Sequence, residues 1–461
     1  MKTDRFGGQH TTSSDAAVSA YEDAVVAVAA HQPLGDSLTK ALESDPDFCA
    51  GIALKGIGTV LLAKQNDMIA GRELAKQARA CLKRIHNGTP SERALVETLE
   101  LSAAGRMQAA AHRIEDHLIL HPRDFLAVKL GHGLRFMSGQ PDKMLATTAT
   151  VLPAWSKDVG GYGYLLGCHA FGLEECGHYR EAESTGRQGV LLEPADAWGL
   201  HAVSHVMEMN QRTEEGAKWL ETSRPLWPKC NNFGFHLAWH LGLFRLELGD
   251  HTSVLELYDK DISPTPSQDF RDMANAASML WRLEQEGVDV GDRWEKLREI
   301  AVNQRRDATY VFGALHFLMA LVASGDHLGA LELVDELHAS AERSTGDQAK
   351  VAARVGAELA RVIVASRKDH GVALQNDLTG IAERLQCIGG SHAQRDVFLR
   401  TLLLAAADGG DRNQTESIIR LRANQRSSDQ FIDLVNRRLS NASDREVRNE
   451  LSEIASSTMF H

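Results

Sequence analysis

A chain of 461 residues is long for one globular domain, yet a solenoid of stacked repeats buries its core between neighbours and can run to this length as one unit. The net charge of −12 and the scatter of the 50 basic residues leave no basic stripe for a nucleic-acid backbone, so nucleic acid is excluded as a partner. Cys49, Cys81, Cys168, Cys176, Cys230 and Cys387 form no CxxC pair and fit reduced thiols. Residues 1–14 are polar, and no run of about 18 uncharged apolar residues follows. The expectation is a soluble, cytoplasmic protein without a membrane partner.

In chain order the pattern is helical nearly throughout, and no strand pattern survives comparison. Thr11, Thr12, Ser13, Ser14 and Asp15 stand ahead of the first helical stretch with side-chain oxygens suited to cap it. Prolines then fall where hairpins should turn, at Pro46, Pro122 and Pro194, each ending one helix and opening the next. Gly139, Gly177, Gly249, Gly287 and Gly325 close first helices with a left-handed cap. These marks place hairpins at 48–86, 91–121, 123–153, 158–193, 195–226, 231–263, 267–303, 306–342, 346–387, 391–424 and 427–458. The fold expected is all-α, a right-handed superhelix of about eleven degenerate tetratricopeptide-like helical hairpins. It forms a single array over 1–461, with N-terminal capping helices (1–47), regular repeats (48–342) and longer C-terminal hairpins (343–461). Asp261 to Gln268, with Pro264 and Pro266, reads as a lid or a long turn.

Histidines recur on the first helices. His132, His169, His205 and His240 are 37, 36 and 35 residues apart, and His316 lies 76 further on. First helices line the inner wall of a superhelix, so these side chains should converge on one concave surface. The strongest constellation is His201, His205 and Glu208, which at i, i+4 and i+7 share a helical face. One hairpin later His236 and His240 repeat the i, i+4 pair. Two facing helices with such pairs suit zinc, iron or manganese, with His201, His205, Glu208, His236 and His240 as ligands. The other readings are interior histidines bonded to one another, and an organic substrate held by neutral imidazoles with one or two acting as acid or base. His201, His205, Glu208 and His240 are the candidate catalytic residues.

Cys168 beside His169 is a weaker nucleophile candidate, because adjacent helical residues diverge by about 100° and the base would have to come from His132 or His205. Tyr162, Tyr164, Trp198 and Trp239 can wall a pocket. Near the C-terminus, Ser391 followed by Gln394 forms a capping box, and Arg395 and Asp396 exceed what a cap requires. They are candidates, with His132, His169 and His316, for binding substrate, Arg395 through a carboxylate or phosphate.

The runs from Ala197 to Met209, Asn232 to His240, Leu257 to Asp259, Ser278 to Leu283, His316 to Ala320 and Gly390 to Phe398 resemble the tetratricopeptide repeat protein 38 family. The likeness begins near Asp4 to Gly7 and Thr11 to Tyr21, and covers nearly the whole length. It implies a helical repeat superhelix and puts His132, His201, His205, Glu208, His236, His240 and His316 at positions matching the family's motifs. It supplies no reaction. His169 departs from the pattern, where an aromatic or small residue is usual. Two functions stay open: a small-molecule enzyme of hydrolase or lyase type with a metal-activated water, and a scaffold holding a peptide or protein partner in its groove. The inner positions carry His, Trp and Glu instead of the Lys, Arg and Asn of carboxylate-capturing grooves, which favours the first.

Overall fold

The computed structural model describes residues 1–86, 88–265, 267–343, 345–367, 377–426 and 430–442. Over these the protein is all-helical except for one two-residue antiparallel pair, Lys2–Thr3 with Gln9–His10. Two residues per strand are too few to show alternation in the sequence. Asp4 closes the turn between them: its Oδ1 accepts from the N–H groups of Phe6 and Gly8 at 2.9 and 2.7 Å, and its Oδ2 meets His10 Nε2 at 2.7 Å.

The first helix, Asp15–Ala29, opens at Ser14, whose hydroxyl accepts from the Ala17 amide at 3.1 Å. From residue 49 helices come in packed pairs: Cys49–Val60 with Gln65–Arg84, Pro90–Ala103 with Met107–Leu120, Phe125–Met137 with Pro141–Val151, and Tyr162–Glu175 with Tyr179–Leu192. Ala197–Met209 with Thr213–Ser223, Phe233–Glu247 with His251–Leu257, Phe270–Gln285 with Arg293–Ala301, and Val311–Ala323 with His327–Arg343 continue the series. From Phe125 onward the first members of successive pairs also pack on one another in order. That layer is more deeply buried than the second helices. All residues of Ala197–Met209 are buried, whereas Tyr179–Leu192 buries only Ala182, Gly186 and Gly189. The small side chains let it lie close: a Cβ on Gly186 would stand 2.7 Å from Val203.

The turns carry the expected chemistry with one adjustment. Gly139 and Gly177 adopt φ of 63° and 81°, a conformation that costs glycine little. Pro46, Pro122 and Pro194 each sit in the turn three residues ahead of the helices at Cys49, Phe125 and Ala197, not within their first turns. Asp124 takes over as cap at one of them, accepting from the Ala127 amide at 3.1 Å. Asp261 and Ile262 end a π-helical turn, Tyr258–Ile262, and Ile262 is buried in the core; Pro266 lies outside the described residues.

Beyond residue 346 the helices are of mixed length. Asp347–Val351 runs through a π-helical turn, Ala352–Gly356, into Ala357–Ala365; Leu378–Arg384, His392–Asp408, Arg412–Ala423 and a helix over 430–442 follow. The remainder of the expected last hairpin, from residue 443, lies outside the described residues. His392–Asp408 packs against Phe270–Gln285, with Trp281 Nε1 donating to Thr401 Oγ1 at 3.0 Å and Arg282 to the Ala393 carbonyl at 2.7 Å. The C-terminal helices are thereby brought against the middle of the chain. Among the described residues no helix is long and apolar enough to cross a membrane.

Candidate metal centre

The helices Ala197–Met209 and Phe233–Glu247 bring His201, His205, His236 and His240 together. His201 Nε2 lies 2.9 Å from His205 Nε2, 3.0 Å from His240 Nε2 and 3.1 Å from His236 Nε2. One nitrogen from each of His201, His205 and His240 lies within 4.8 Å of the others. His201, His205 and His240 are at most 1% exposed, and His236, at 9%, is the most accessible of the four.

Hydrogen bonding alone cannot account for this convergence. His236 Nδ1 donates to Asn275 Oδ1 at 2.8 Å and His240 Nδ1 to Glu208 Oε2 at 3.2 Å. With the proton held at Nδ1, each Nε2 presents a lone pair, and both lone pairs point at His201 Nε2. That nitrogen carries at most one proton, so at least one of the two contacts sets lone pair against lone pair. Burial pulls His201 and His240 well below the ordinary imidazole value and His236 down to about 4, each helped by the neighbouring rings. Burial thus favours the neutral form of these three rings, the state in which imidazole binds metals. Four nitrogens at the usual zinc–nitrogen distance stand about 3.3 Å apart in a tetrahedron, close to the spacings around His201.

Glu208 points away from this convergence. Its carboxylate meets the Nδ1 side of His240, the position of a group that orients a ligand. Burial raises its pKa, and Arg426 lies 3.8 Å from its other oxygen. His205 Nδ1 faces Glu174 Oε2 at 3.5 Å, beyond hydrogen-bond length. Burial alone would lower the His205 pKa, but the Glu174 charge overcomes it and the net shift is upward.

Aromatic rings form the wall. Phe171 stacks on His201 with centroids 5.4 Å apart, Trp239 stacks on His236 at 5.2 Å, and Trp198 tilts against His201 at 5.0 Å. His31, at the end of the first helical segment, stacks on Trp198 and Phe233 at 5.3 and 4.4 Å, so the N-terminal segment covers this side. Tyr164 packs near Phe125 instead, and Tyr162 is a partly buried residue against the core.

The other expected residues take separate places. His132 accepts from Trp198 Nε1 at 3.0 Å and so stands one layer behind the cluster. His169 pairs with Thr148 Oγ1 at 2.9 Å, outside it. His316 Nδ1 donates to the Phe312 carbonyl at 2.8 Å, and its ring packs on Phe398 at 5.0 Å. Arg395 binds the Gly390 carbonyl and Glu175 Oε2, the latter at 3.1 Å; Asp396 is held by Arg422 at 2.6 and 3.2 Å. Arg395 thereby ties the C-terminal helices to Glu175, whereas Asp396 joins two of those helices to each other. Burial raises the Cys168 thiol, which disfavours the thiolate.

The sequence candidates do not include Glu174, Glu175, Asn275 or His31, and His392 stands among the motifs only within the run from Gly390 to Phe398. A signal for the first two existed. Paired glutamates in the last turn of Tyr162–Glu175 oppose the helix dipole, which favours cations there. No family model matches the chain.

Proposed function

We propose that this chain is a metal-dependent enzyme of hydrolase or lyase type acting on a small molecule, with His201, His205 and His240 as ligands. The observation that carries the proposal is the approach of three imidazole nitrogens to within 2.9–3.1 Å of His201 Nε2. Imidazole donors suit zinc first, then iron, while manganese prefers oxygen. A three-histidine site with a fourth position toward His236 is the donor set that lowers the pKa of a metal-bound water and polarises carbonyl or phosphoryl oxygens. His236, on its Asn275 tether, is the group placed to exchange a proton there, and Glu208 orients His240.

The wider setting proposed is a right-handed tetratricopeptide-like superhelix of about eleven hairpins, related to the tetratricopeptide repeat protein 38 family and working in the cytoplasm. The packing of successive first helices and the six free cysteines support this setting. A peptide scaffold would need its inner helices open. The burial of the whole Ala197–Met209 helix speaks against that alternative.

The test is elemental analysis of purified, untagged protein beside the His205→Ala/His240→Ala double variant. Near-stoichiometric zinc or iron in the wild type, lost in the variant with helical content unchanged by circular dichroism, is the expected result. Protein that stays metal-free after dialysis against zinc removes the metal from the mechanism.

A further inference from the structure

Glu174 is a fully buried carboxylate, and neither of its oxygens has a hydrogen-bond partner. It faces the free Nδ1 of His205 at 3.5 Å. That separation is too long for an N–H···O bond, which ends near 3.2 Å, and is close to the spacing of two ligands that share one ion. Glu175 stands beside it, so that one atom from each of Glu174, Glu175 and His205 lies within 4.8 Å of the others.

The surroundings hydrogen-bond one of these two carboxylates and leave the other without a hydrogen bond. Glu175 accepts from the His392 amide at 2.7 Å and from Arg395 at 3.1 Å, which neutralises it. His392 closes the far side, its Nε2 3.8 Å from Glu175 and its buried Nδ1 without a partner. The group that faces Glu174 is His205, at 3.5 Å, and the two stabilise each other only across that longer gap. A buried carboxylate without hydrogen bonds is costly, and a divalent cation is the species that two carboxylates and two imidazoles jointly accept.

We propose a second divalent-cation site made by Glu174, Glu175, His205 Nδ1 and His392, with His205 bridging it to the cluster around His201. The inference rests on the metal reading of that cluster. The bridging imidazole gives up its Nδ1 proton to solvent when both ions are bound, and the two ions stand roughly 6 Å apart, given metal–nitrogen bonds of about 2 Å. The pair would be one ion in an all-imidazole environment and one in a mixed carboxylate–imidazole environment. This separates a softer site, suited to zinc, from a harder one that also accepts manganese.

Zinc per chain, measured by mass spectrometry after dialysis of the full-length protein against zinc and then against metal-free buffer, tests this directly. The expected values are two in the wild type and one in Glu174→Gln, which keeps the side chain's size and leaves the imidazole cluster intact. One zinc in both proteins overturns the second site and leaves the first standing. Two zincs in both moves the second ion away from Glu174 and also overturns the proposal, whereas none in either overturns both readings. The wild-type count needs no variant to fold, so the proposal stays open to refutation if Glu174→Gln is insoluble.

Discussion

Asp196 is a residue where local and tertiary requirements conflict. As the residue before the Ala197–Met209 helix it occupies a position that favours a carboxylate, because four N–H groups there lack partners. It is also wholly buried, wedged so closely that a Cβ on Gly167 or Gly199 would stand 2.0 or 2.4 Å from its Oδ2. Burial pushes its pKa up to about 7; Lys129 and the amides of Gly199 and Trp198 pull the other way without restoring it, and Glu193 adds to the rise. A carboxyl whose folded pKa exceeds its unfolded value contributes most below about pH 4, where both states are protonated. Stability then falls as pH rises to about 7 and stays reduced above it. At about 1.4 kcal/mol per unit, the loss is on the order of 4 kcal/mol. Asp196→Asn should therefore match the wild type at pH 5 far more nearly than at pH 8, where it should be the more stable by a few kcal/mol. Denaturant unfolding at the two pH values checks this, and a difference that does not change with pH would refute it.

At the scale of elements, the site depends on how closely the Tyr162–Glu175 and Ala197–Met209 helices approach. Gly167 and Gly199 face each other there, and a Cβ on Gly167 would lie 3.0 Å from the Gly199 Cα as well as against Asp196. Backbone cannot yield as a flexible side chain can, so Gly167→Ala should cost about 1–3 kcal/mol, at the overpacking end of core substitutions. It should also weaken zinc binding, because it separates Glu174 from His205; Gly177→Asn, at a helix end with open space around it, is the control expected to leave binding unchanged. Zinc affinity equal to wild type in Gly167→Ala would mean that the helix spacing does not set the site. This level also explains what sequence could reveal. The i, i+4 histidine pairs, the Ser14 cap and the Ser391–Gln394 box, with its bonds of 3.0 and 3.2 Å, are written within single turns and were legible. Asn275 reaches His236 across 39 residues and Glu175 reaches His392 across 217, so neither pairing leaves a local pattern. Arg395 and Asp396 were singled out as surplus to a cap, and their partners Glu175 and Arg422 come from helices whose placement the sequence does not specify.

For the whole molecule, the metal reading makes one helix pair a stability centre in a chain whose contacts run mainly between neighbours. In such arrays segments open semi-independently, and local free energies differ along the chain. The ligands proposed around His201 come from Ala197–Met209 and Phe233–Glu247, and Glu208 and Glu247 of these helices face Arg426 of the C-terminal part at 3.8 and 3.3 Å. An ion that binds only the closed form stabilises it by about 2.7 kcal/mol when its free concentration is a hundred times Kd. Amide hydrogen exchange should then slow about 100-fold in those two helices on adding zinc at that ratio, for amides that exchange by openings that release the ion. Helices far along the chain, such as Cys49–Val60, should change little, since no ligand comes from them. Protection that instead rose evenly over the described helices would mean that the chain opens as one cooperative body. Protection that rose nowhere would mean that zinc does not engage the folded cluster, and His201 Nε2 would need some other occupant to relieve its opposed lone pairs.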